Sequence, residues 1–520
     1  MRGRFLLFAF VLAAPARAEE PPPARMVDGL VQGDTLRLTL ADAVRLALES
    51  DAVRRDRLDY TAAHAQVDSA ASRFDTRLTT SFAAVDSTQR STVQTEGALL
   101  RVDTQQSGTV SVSQVLPSGT QSSLVVSGGR QSTNNTFATV NPQFNSALRF
   151  QVTQPLVRNQ AGFVDRANVR IAKQGEAQAR ADLMASLSQS VQSAVDRYWA
   201  AVLAVEGLTV KRKSLELAEA TYAKNKRMLE LGAIAPLEIY QSEADVASRK
   251  LDVLRGELDL RRRHDELRRE LGLDLDPRLA RLSVELVDAP EGGAAASDPL
   301  DADTLLAEAL RARPELQALE RQVEARETRV RVAQSNARLG LDLVASYALS
   351  GVGGTQFDPT LDPPVVVVRN GLGTAFDQVV NRRFPVYSVS LVADVPLRNR
   401  RVKADLALAR IDEEKARIDL QERRQQIALE VRRAVDEVRS TGEAITLATA
   451  ARDLSRRTLE SEQRKYELGV TQLFFVLDAQ ARVAQSELAL LSAKVDHQQA
   501  QTRLDLASGR LLDRYKISVD

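Results

Sequence analysis

Apolar residues return at helical spacing over two very long stretches of the chain. From about Asp165 to Leu231 they fall at Leu183, Leu187, Val191, Val195, Tyr198, Val202 and Val205, with no proline and little glycine. That is the period of one face of an α-helix. A second run, from about Val402 to Leu468, carries Ile427, Val431, Val435, Val438 and Ile445 on its stripe. At 1.5 Å per residue each run predicts a helix roughly 100 Å long. Both runs stop at a glycine, in Glu230-Leu231-Gly232 and in Glu467-Leu468-Gly469. Glycine just past a helical run is the C′ signal, because it enters the left-handed region without a Cβ clash. Pro236 can then open a new helix, where its missing N–H costs nothing. Return helices are expected over about 236–271 and 473–508, which makes the two glycines the tips of helical hairpins.

Between the helical runs the period changes to two. Leu148, Phe150 and Val152 alternate with Arg149, Gln151 and Thr153, and Tyr387, Val389, Leu391, Ala393 and Val395 alternate with Ser388, Ser390, Val392 and Asp394. Phe74, Leu78 and Phe82, and again Leu341, Leu343 and Tyr347, do so more weakly. The spacing predicts β strands within about 74–155 and 340–396. Such strands suit a membrane β-barrel with lipid outside and water inside, and they equally suit a soluble sandwich. Val110–Leu116 and Gln121–Ser127 form an extra hairpin around Pro117-Ser118-Gly119, a turn with clear local chemistry. Residues 109–128 either join the sheet or pack elsewhere. The stretches Arg130 to Asn145 and Gly351 to Arg383, the latter holding Pro359, Pro363 and Pro364, read as loops.

The order helix, strands, long helix, return helix occurs twice. Ala43 to Asp51 resembles Leu305 to Arg313, with Thr39 and Asp303 as expected N-caps. Gln154-Pro155-Leu156 and Val395-Pro396-Leu397 close the strand regions, and Ala289 to Pro299, rich in Gly, Ala and Pro, links the halves. The expected organisation is a signal peptide over 1–18, an N-terminal extension over 19–35, a first repeat over 36–287, a linker over 288–301, a second repeat over 302–509 and a tail over 510–520.

The signal rests on a basic Met1 to Arg4, an apolar Phe5 to Ala14 and a small-x-small Ala16-Arg17-Ala18. The protein is therefore expected to be exported. No other run approaches the length of a membrane-spanning helix. Cysteine is absent, which excludes disulfides, thiolate metal sites and a lipid-bearing N-terminal cysteine. Charge is balanced, with 70 Lys and Arg against 69 Asp and Glu, and aromatics make up only 4%. This interleaved charge argues against a grip on nucleic acid. The basic cluster Arg261-Arg262-Arg263, Arg268, Arg269 precedes Gly272, where cations suit a helix C-terminus. His64, His264 and His497 are scattered, so no metal cluster or nucleophile–base pair is expected. Gly351-Val352-Gly353-Gly354 lacks the helix and lysine of a phosphate loop. No catalytic activity and no cofactor are expected.

A few strands cannot close a barrel, and an open edge in lipid leaves backbone groups unpaired. Amphipathic helices of this length likewise need neighbours on both flanks, so several copies must assemble. In this pattern the whole mature chain resembles the TolC-like outer membrane factors: the export signal, the opening Leu38 to Leu48, the strand ending Gln154-Pro155-Leu156, and the twin Leu-Gly tips, above all Tyr466 to Gly469 and Val476 to Ala479. The resemblance implies an α+β membrane protein, with a β-barrel assembled from several subunits, a long α-helical barrel continuing it, and two structural repeats per chain. It implies a homotrimer in the outer membrane with a large periplasmic portion, acting as the passive exit duct of a tripartite efflux pump or type I secretion system. Its partners would be outer membrane lipid, a periplasmic adaptor (membrane fusion protein), and an inner-membrane pump or ABC-type secretion transporter. An exported elongated coiled-coil scaffold or adhesin is the alternative.

By the same resemblance the adaptor-docking tips are Leu231, Gly232, Ala233, Leu468, Gly469, Val470 and Thr471. The family's acidic gate rings fall on Phe475 and Asp478. Phenylalanine at the first position departs from the doubly acidic pattern, leaving one apolar and one carboxylate ring as the expectation, or Asp478 as an ordinary exposed helix residue. Three carboxylates on one axis would favour cations. If the hairpin 109–128 joins the wall, a subunit supplies six strands where most of the family supplies four.

Overall fold

The computed structural model describes residues 30–91, 98–232, 234, 236–273, 282–290, 301–358, 365–395 and 397–517. The expected signal 1–18, most of the extension and of the linker, Ala233, Pro359, Pro363, Pro364 and Pro396 lie outside the described residues. Contacts divide the chain into two units, one of Met1–Arg57, Leu183–Arg313 and Gln426–Asp520, the other of Leu58–Asp182 and Pro314–Gln425.

In the first unit, β1 (Val31–Gln32) and β2 (Thr35–Leu38) form an antiparallel pair, and β7 (Ser283–Leu286) adds to β2 in parallel. Helix α1 (Leu40–Ala47) follows. Its cap Thr39 accepts a hydrogen bond from Asp42 N, and the Asp42 carboxylate accepts one from Thr39 N. That exchange satisfies two backbone donors that a helix start leaves open. The helices α3 (Phe163–Glu230) and α8 (Arg400–Glu467) contain 68 residues each. They run through both units and are followed by α4 (Pro236–Glu270) and α9 (Leu473–Ser508). On α3, Val191, Val195, Tyr198 and Val202 are buried with Leu36, Leu38, Val44, Leu46, Leu267 and Val495 in one apolar core. Tyr198 also donates from its hydroxyl to Asp288 Oδ2 at 2.7 Å, and Leu40 N donates to the same oxygen at 2.7 Å. A second stripe, Ile427, Val431, Val435 and Val438 of α8, is buried as well. Helix α5 (Ala302–Ala312) is capped by Asp301, whose carboxylate accepts from Asp303 N. Asp303, expected as the cap, instead lies in the first turn, where its charge still suits the helix dipole.

The second unit is built on a path of six antiparallel strands in the order β10-β8-β6-β5-β4-β3: β3 (Arg77–Arg90), β4 (Leu100–Val115), β5 (Gln121–Thr133), β6 (Val140–Pro155), β8 (Gly340–Asp358) and β10 (Pro385–Asp394). Phe74, expected on the first strand, belongs instead to a short 3-10 turn at Ser72–Phe74. The hairpin of 109–128 lies inside the sheet, with β4 pairing β3 and β5 pairing β6. Its turn packs on the turn after β6 so closely that a Cβ on Gly162, itself at φ 69°, would meet Pro117 O at 2.1 Å. The stretch Gly351–Arg383, expected as a loop, is ordered secondary structure over its described part. There β8 continues to Asp358, β9 (Val365–Arg369) pairs with it, and α7 (Leu372–Val380) follows. Helices α2 (Asp51–Ala71) and α6 (Pro314–Asn336) precede the strands of each half, and α10 (Leu511–Arg514) is a final turn. Within the second unit α6 is joined to α8 by Arg417–Glu327 and Arg424–Glu320, both at 3.0 Å. Among the described residues no helix is long and apolar enough to cross a membrane, which leaves the strands as the segments to examine.

Candidate membrane wall and helical tips

Register across the six strands turns the weak alternation of single segments into two chemically distinct faces. Leu78, Val112, Leu124, Phe150, Tyr347 and Tyr387 stand in one row across the whole sheet. One residue along, on the opposite face, the row reads Arg77, Ser113, Ser123, Gln151, Ser346 and Ser388. The next apolar row is Thr80, Val110, Val126, Leu148, Leu349 and Pro385. Because side chains alternate strictly along a strand, one register sorts every strand at once. The Tyr347 and Tyr387 rings lie 4.9 Å apart on the apolar face, while the Ser346 and Ser388 hydroxyls share a hydrogen bond of 2.7 Å on the polar one. Apart from Arg101 and Asp103, paired at 2.7 Å, this face carries the charges Arg77, Arg149, Asp342, Asp358 and Asp394 and, on five of the strands, scattered valines such as Val85, Val125, Val344 and Val392; the rest of it is mostly hydroxyl, amide or small.

The terminal strands are the incomplete part of this arrangement. β3 and β10 end the path, and nearly every residue of both is exposed. Phe82 is 66% exposed and Val389 76%. Each therefore presents an open row of backbone donors and acceptors beside large apolar side chains: water could satisfy the first but not cover the second, and lipid the reverse.

At the helical tips Gly232 and Gly469 have φ of 68° and 72°. Val470 N donates to Lys465 O at 2.9 Å and Gly469 N to Tyr466 O at 3.0 Å, closing α8 with two of its last carbonyls satisfied. Of the expected docking residues Leu231, Leu468 and Val470 are 83%, 78% and 75% exposed. Gly232 and Gly469 are exposed too, Thr471 is half-buried, and Ala233 is outside the described residues. Leu237, Tyr240, Phe474 and Phe475 add exposed apolar surface beside them. Phe474 and Phe475 meet edge to face, with centroids 5.6 Å apart.

A polar network that single-sequence reading missed binds the tip helices together. Tyr466 of α8 can donate to Glu238 Oε2 of α4 at 2.9 Å or to Asn225 Oδ1 of α3 at 3.3 Å. Asn225, fully buried, donates to Ser242 Oγ at 2.8 Å, and Lys224 pairs with Glu467 at 3.2 Å. Gln480 of α9 donates to Thr221 of α3 at 3.3 Å. Burial, then the adjoining Glu238 carboxylate, push the Tyr466 phenol well above its ordinary range, so it stays a donor. Asp478, the gate candidate, accepts from Arg482 Nε at 2.8 Å one turn on. The signal for that pair was the i,i+4 spacing of opposite charges. Among the described residues no group of three metal-ligating side chains comes together.

Comparison with known proteins fits this geometry. Residues 305–510 match the sequence profile of the family described as outer membrane efflux protein. None of the curated proteins matches. Among solved structures, the Campylobacter jejuni CmeC outer membrane channel is similar at 16% identity and a TM-score of 0.65, over 91% of this chain and 86% of that one. A Pseudomonas aeruginosa membrane protein is similar at 18% identity and 0.64, over 96% and 98%. The Vibrio cholerae outer membrane protein VceC is similar at 14% and 0.64, over 90% and 96%. Residues 305–510 thus match the model of the outer membrane efflux protein family, and over nine-tenths of its length the chain has the fold of the proteins just named.

Proposed function

We propose that the chain is one subunit of a homotrimeric outer membrane channel, the passive exit duct of a tripartite efflux pump or type I secretion system. The observation that carries this reading is the pair of rows that run unbroken across six strands, one apolar and one polar, in a sheet whose two terminal strands are both open. Lipid on one face and water on the other satisfy the rows, and β3 of one copy against β10 of the next satisfies the edges. Barrel diameter grows roughly linearly with strand number, so three copies of six strands enclose a bore about half again as wide as three copies of four. A wall mostly of serine, threonine, glutamine and valine, with few charges of both signs, would pass solutes of either charge.

The two helical hairpins have nearly equal lengths, 68 and 35 residues against 68 and 36, which supports two structural repeats in each subunit. They would form the α-barrel that continues the duct through the periplasm. The exposed Leu231, Leu237, Leu468 and Val470 form the apolar surface on which a periplasmic adaptor would dock. The adaptor would join the duct to an inner-membrane pump or ABC-type transporter, which supplies the energy. At the gate we place a ring of Phe475 and a ring of Asp478–Arg482 pairs. That pairing offsets the carboxylate charge, so the gate would select cations more weakly than bare carboxylates do.

Because the chain has no cysteine, the test is clean. Cysteines are introduced in pairs, one along β3 from Thr79 to Ala83 and one along β10 from Ser388 to Val392, and the protein is oxidised in outer membranes. At one register a denaturing gel should show a ladder ending at three chains. Monomer at every register, with material that is monodisperse as single chains in mild detergent, would overturn the reading.

A further inference from the structure

Helix α7 lies on the apolar face of the sheet, and that face has been shaped to take it. The row next to Leu349, Leu148, Val126 and Val110 reads Gly351, Ser146, Gly128 and Gly108 across four adjacent strands. With Gly353 beyond it, this row makes a trough of missing side chains. A Cβ on Gly351 would meet Ala375 O at 1.9 Å, one on Gly353 would meet Gly371 O at 2.3 Å, and one on Gly128 would meet the Phe376 ring at 3.2 Å. Ala375 and Val379 are buried in the seat, and Ser146 is buried as well. The helix is also stitched to the edge of β8. β10 pairs with β8 up to Leu349 and β9 pairs from Thr355, and between them Gln378 donates from Nε2 to Val352 O and accepts from Val352 N, both at 3.0 Å. One side-chain amide thereby supplies both bonds that a partner strand would have made.

Seated this way, α7 leaves a second stripe partly exposed, with the Phe376 ring reaching back over Gly128. Leu372, Phe376 and Val380 follow one another at i, i+4 and i+8 and are 38%, 36% and 76% exposed. Arg382 and Arg383 come directly after, both exposed, with Arg383 near Asp377 at 3.8 Å. The outward stripe continues the apolar face that carries Tyr347, Tyr387 and Leu349, and lies at its upper margin. In the rows above, Arg130, Gln106, Thr104 and Asp86 enter the face on β5, β4 and β3, with Phe144 and Ala84 as its last apolar members there. β10 runs from this margin down to Asp394 and on to α8 at Arg400, so the margin is the end of the strands away from the long helices.

We propose that α7 is an interfacial helix on the outside of the barrel, with Leu372, Phe376 and Val380 among the acyl chains of the outer leaflet and Arg382 and Arg383 among its phosphate-bearing headgroups. This rests on the channel reading above, because it takes the apolar face as the lipid face. Continuity with that face, and cations where anionic headgroups lie, select lipid as the occupant. The helix would widen the apolar girdle at a height where β4, β5, β6 and β8 bear only glycine and serine and Phe82 of β3 is the one apolar side chain of the row.

The test uses single cysteines at Phe376, Val380 and, as reference, Tyr387, each labelled with an environment-sensitive fluorophore in the assembled protein. The protein is reconstituted in vesicles that contain lipid with a quencher near the headgroup. Lipid quencher should lower emission at Phe376→Cys and Val380→Cys roughly twofold or more, while aqueous iodide leaves it nearly unchanged. In a Gly351→Val background, which fills the seat, that protection from iodide should be lost while Tyr387→Cys keeps its own. Iodide quenching at both α7 positions, with Tyr387→Cys still lipid-quenched, would overturn the proposal and leave the channel reading intact. Protection from both quenchers would mean that a neighbouring chain covers α7, and would equally overturn it. Iodide quenching at Tyr387→Cys would remove the channel reading itself.

Discussion

Replacing Tyr466 by phenylalanine removes one hydroxyl and leaves the ring. The lost bond is the one to Glu238 at 2.9 Å, with Asn225 at 3.3 Å as the alternative acceptor. A hydrogen bond onto an ionised acceptor is worth ~1.5–3 kcal/mol, and the tyrosine is only partly covered, so ~1 kcal/mol per chain is the working figure. If the bond is made only in the closed state and three tips open together, the closed state loses ~3 kcal/mol, or a factor of ~150 in the ratio of closed to open. Purified Tyr466→Phe in planar bilayers should therefore spend far more time at high conductance than the parent. Glu238→Gln keeps an acceptor but removes the charge, and should fall between the two. Both variants should keep the parent's circular dichroism spectrum, since the apolar core of the unit does not include these residues. An open probability for Tyr466→Phe within about twofold of the parent would refute the reasoning, since ~1 kcal/mol in even one chain gives about fivefold.

The two faces of the sheet predict opposite responses to one substitution. In the proposed barrel Tyr387→Arg sets a charge on the lipid side and should destabilise the fold by ~2–4 kcal/mol, whereas Ser388→Arg, one residue along, should change it little; urea titration of heat-modifiable gel mobility reads both. Arg482→Gln frees the Asp478 carboxylate, so reversal potentials in a salt gradient should move toward cation selectivity, while Asp478→Asn moves them the other way. His497 is 2% exposed beside Thr441 and Gln501, and burial holds its pKa below the ordinary 6.5. The folded chain thus favours the neutral ring. Its contribution is complete above pH 6.5 and is lost as pH falls from there toward the lowered value. Thermal unfolding of the helical unit should shift downward below pH 6.5, and His497→Gln should flatten that part of the profile.

What could be read from sequence divides along the range over which each signal acts. Helical period, C′ glycines and period-two alternation are local, set by sterics within a few residues, and the helical and sheet content they imply is what the fold contains. The tips were legible for the same reason, since Gly232 and Gly469 act through their own φ. Pairing is not local. Nothing in Val110–Ser127 tells whether the hairpin stands inside a sheet or beside one, and only register with Phe150 and Tyr347 sets it there. Tyr466 stands on the other hairpin, 241 residues from Asn225 and 228 from Glu238, so no spacing rule could have joined them. Gly351 to Arg383 failed for a third reason. Gly351 and Gly353 read as loop residues because glycine normally weakens a strand, yet here they are in a strand because a helix lies on them. The glycines and the short apolar stretch of α7 are each uninformative alone, and they account for one another only once the strand register brings Gly351, Ser146 and Gly128 into line. A substitution such as Gly351→Val, harmless to a loop and favourable to an isolated strand, should therefore unseat α7, because the value of that position is set by what lies above it rather than by the chain on either side.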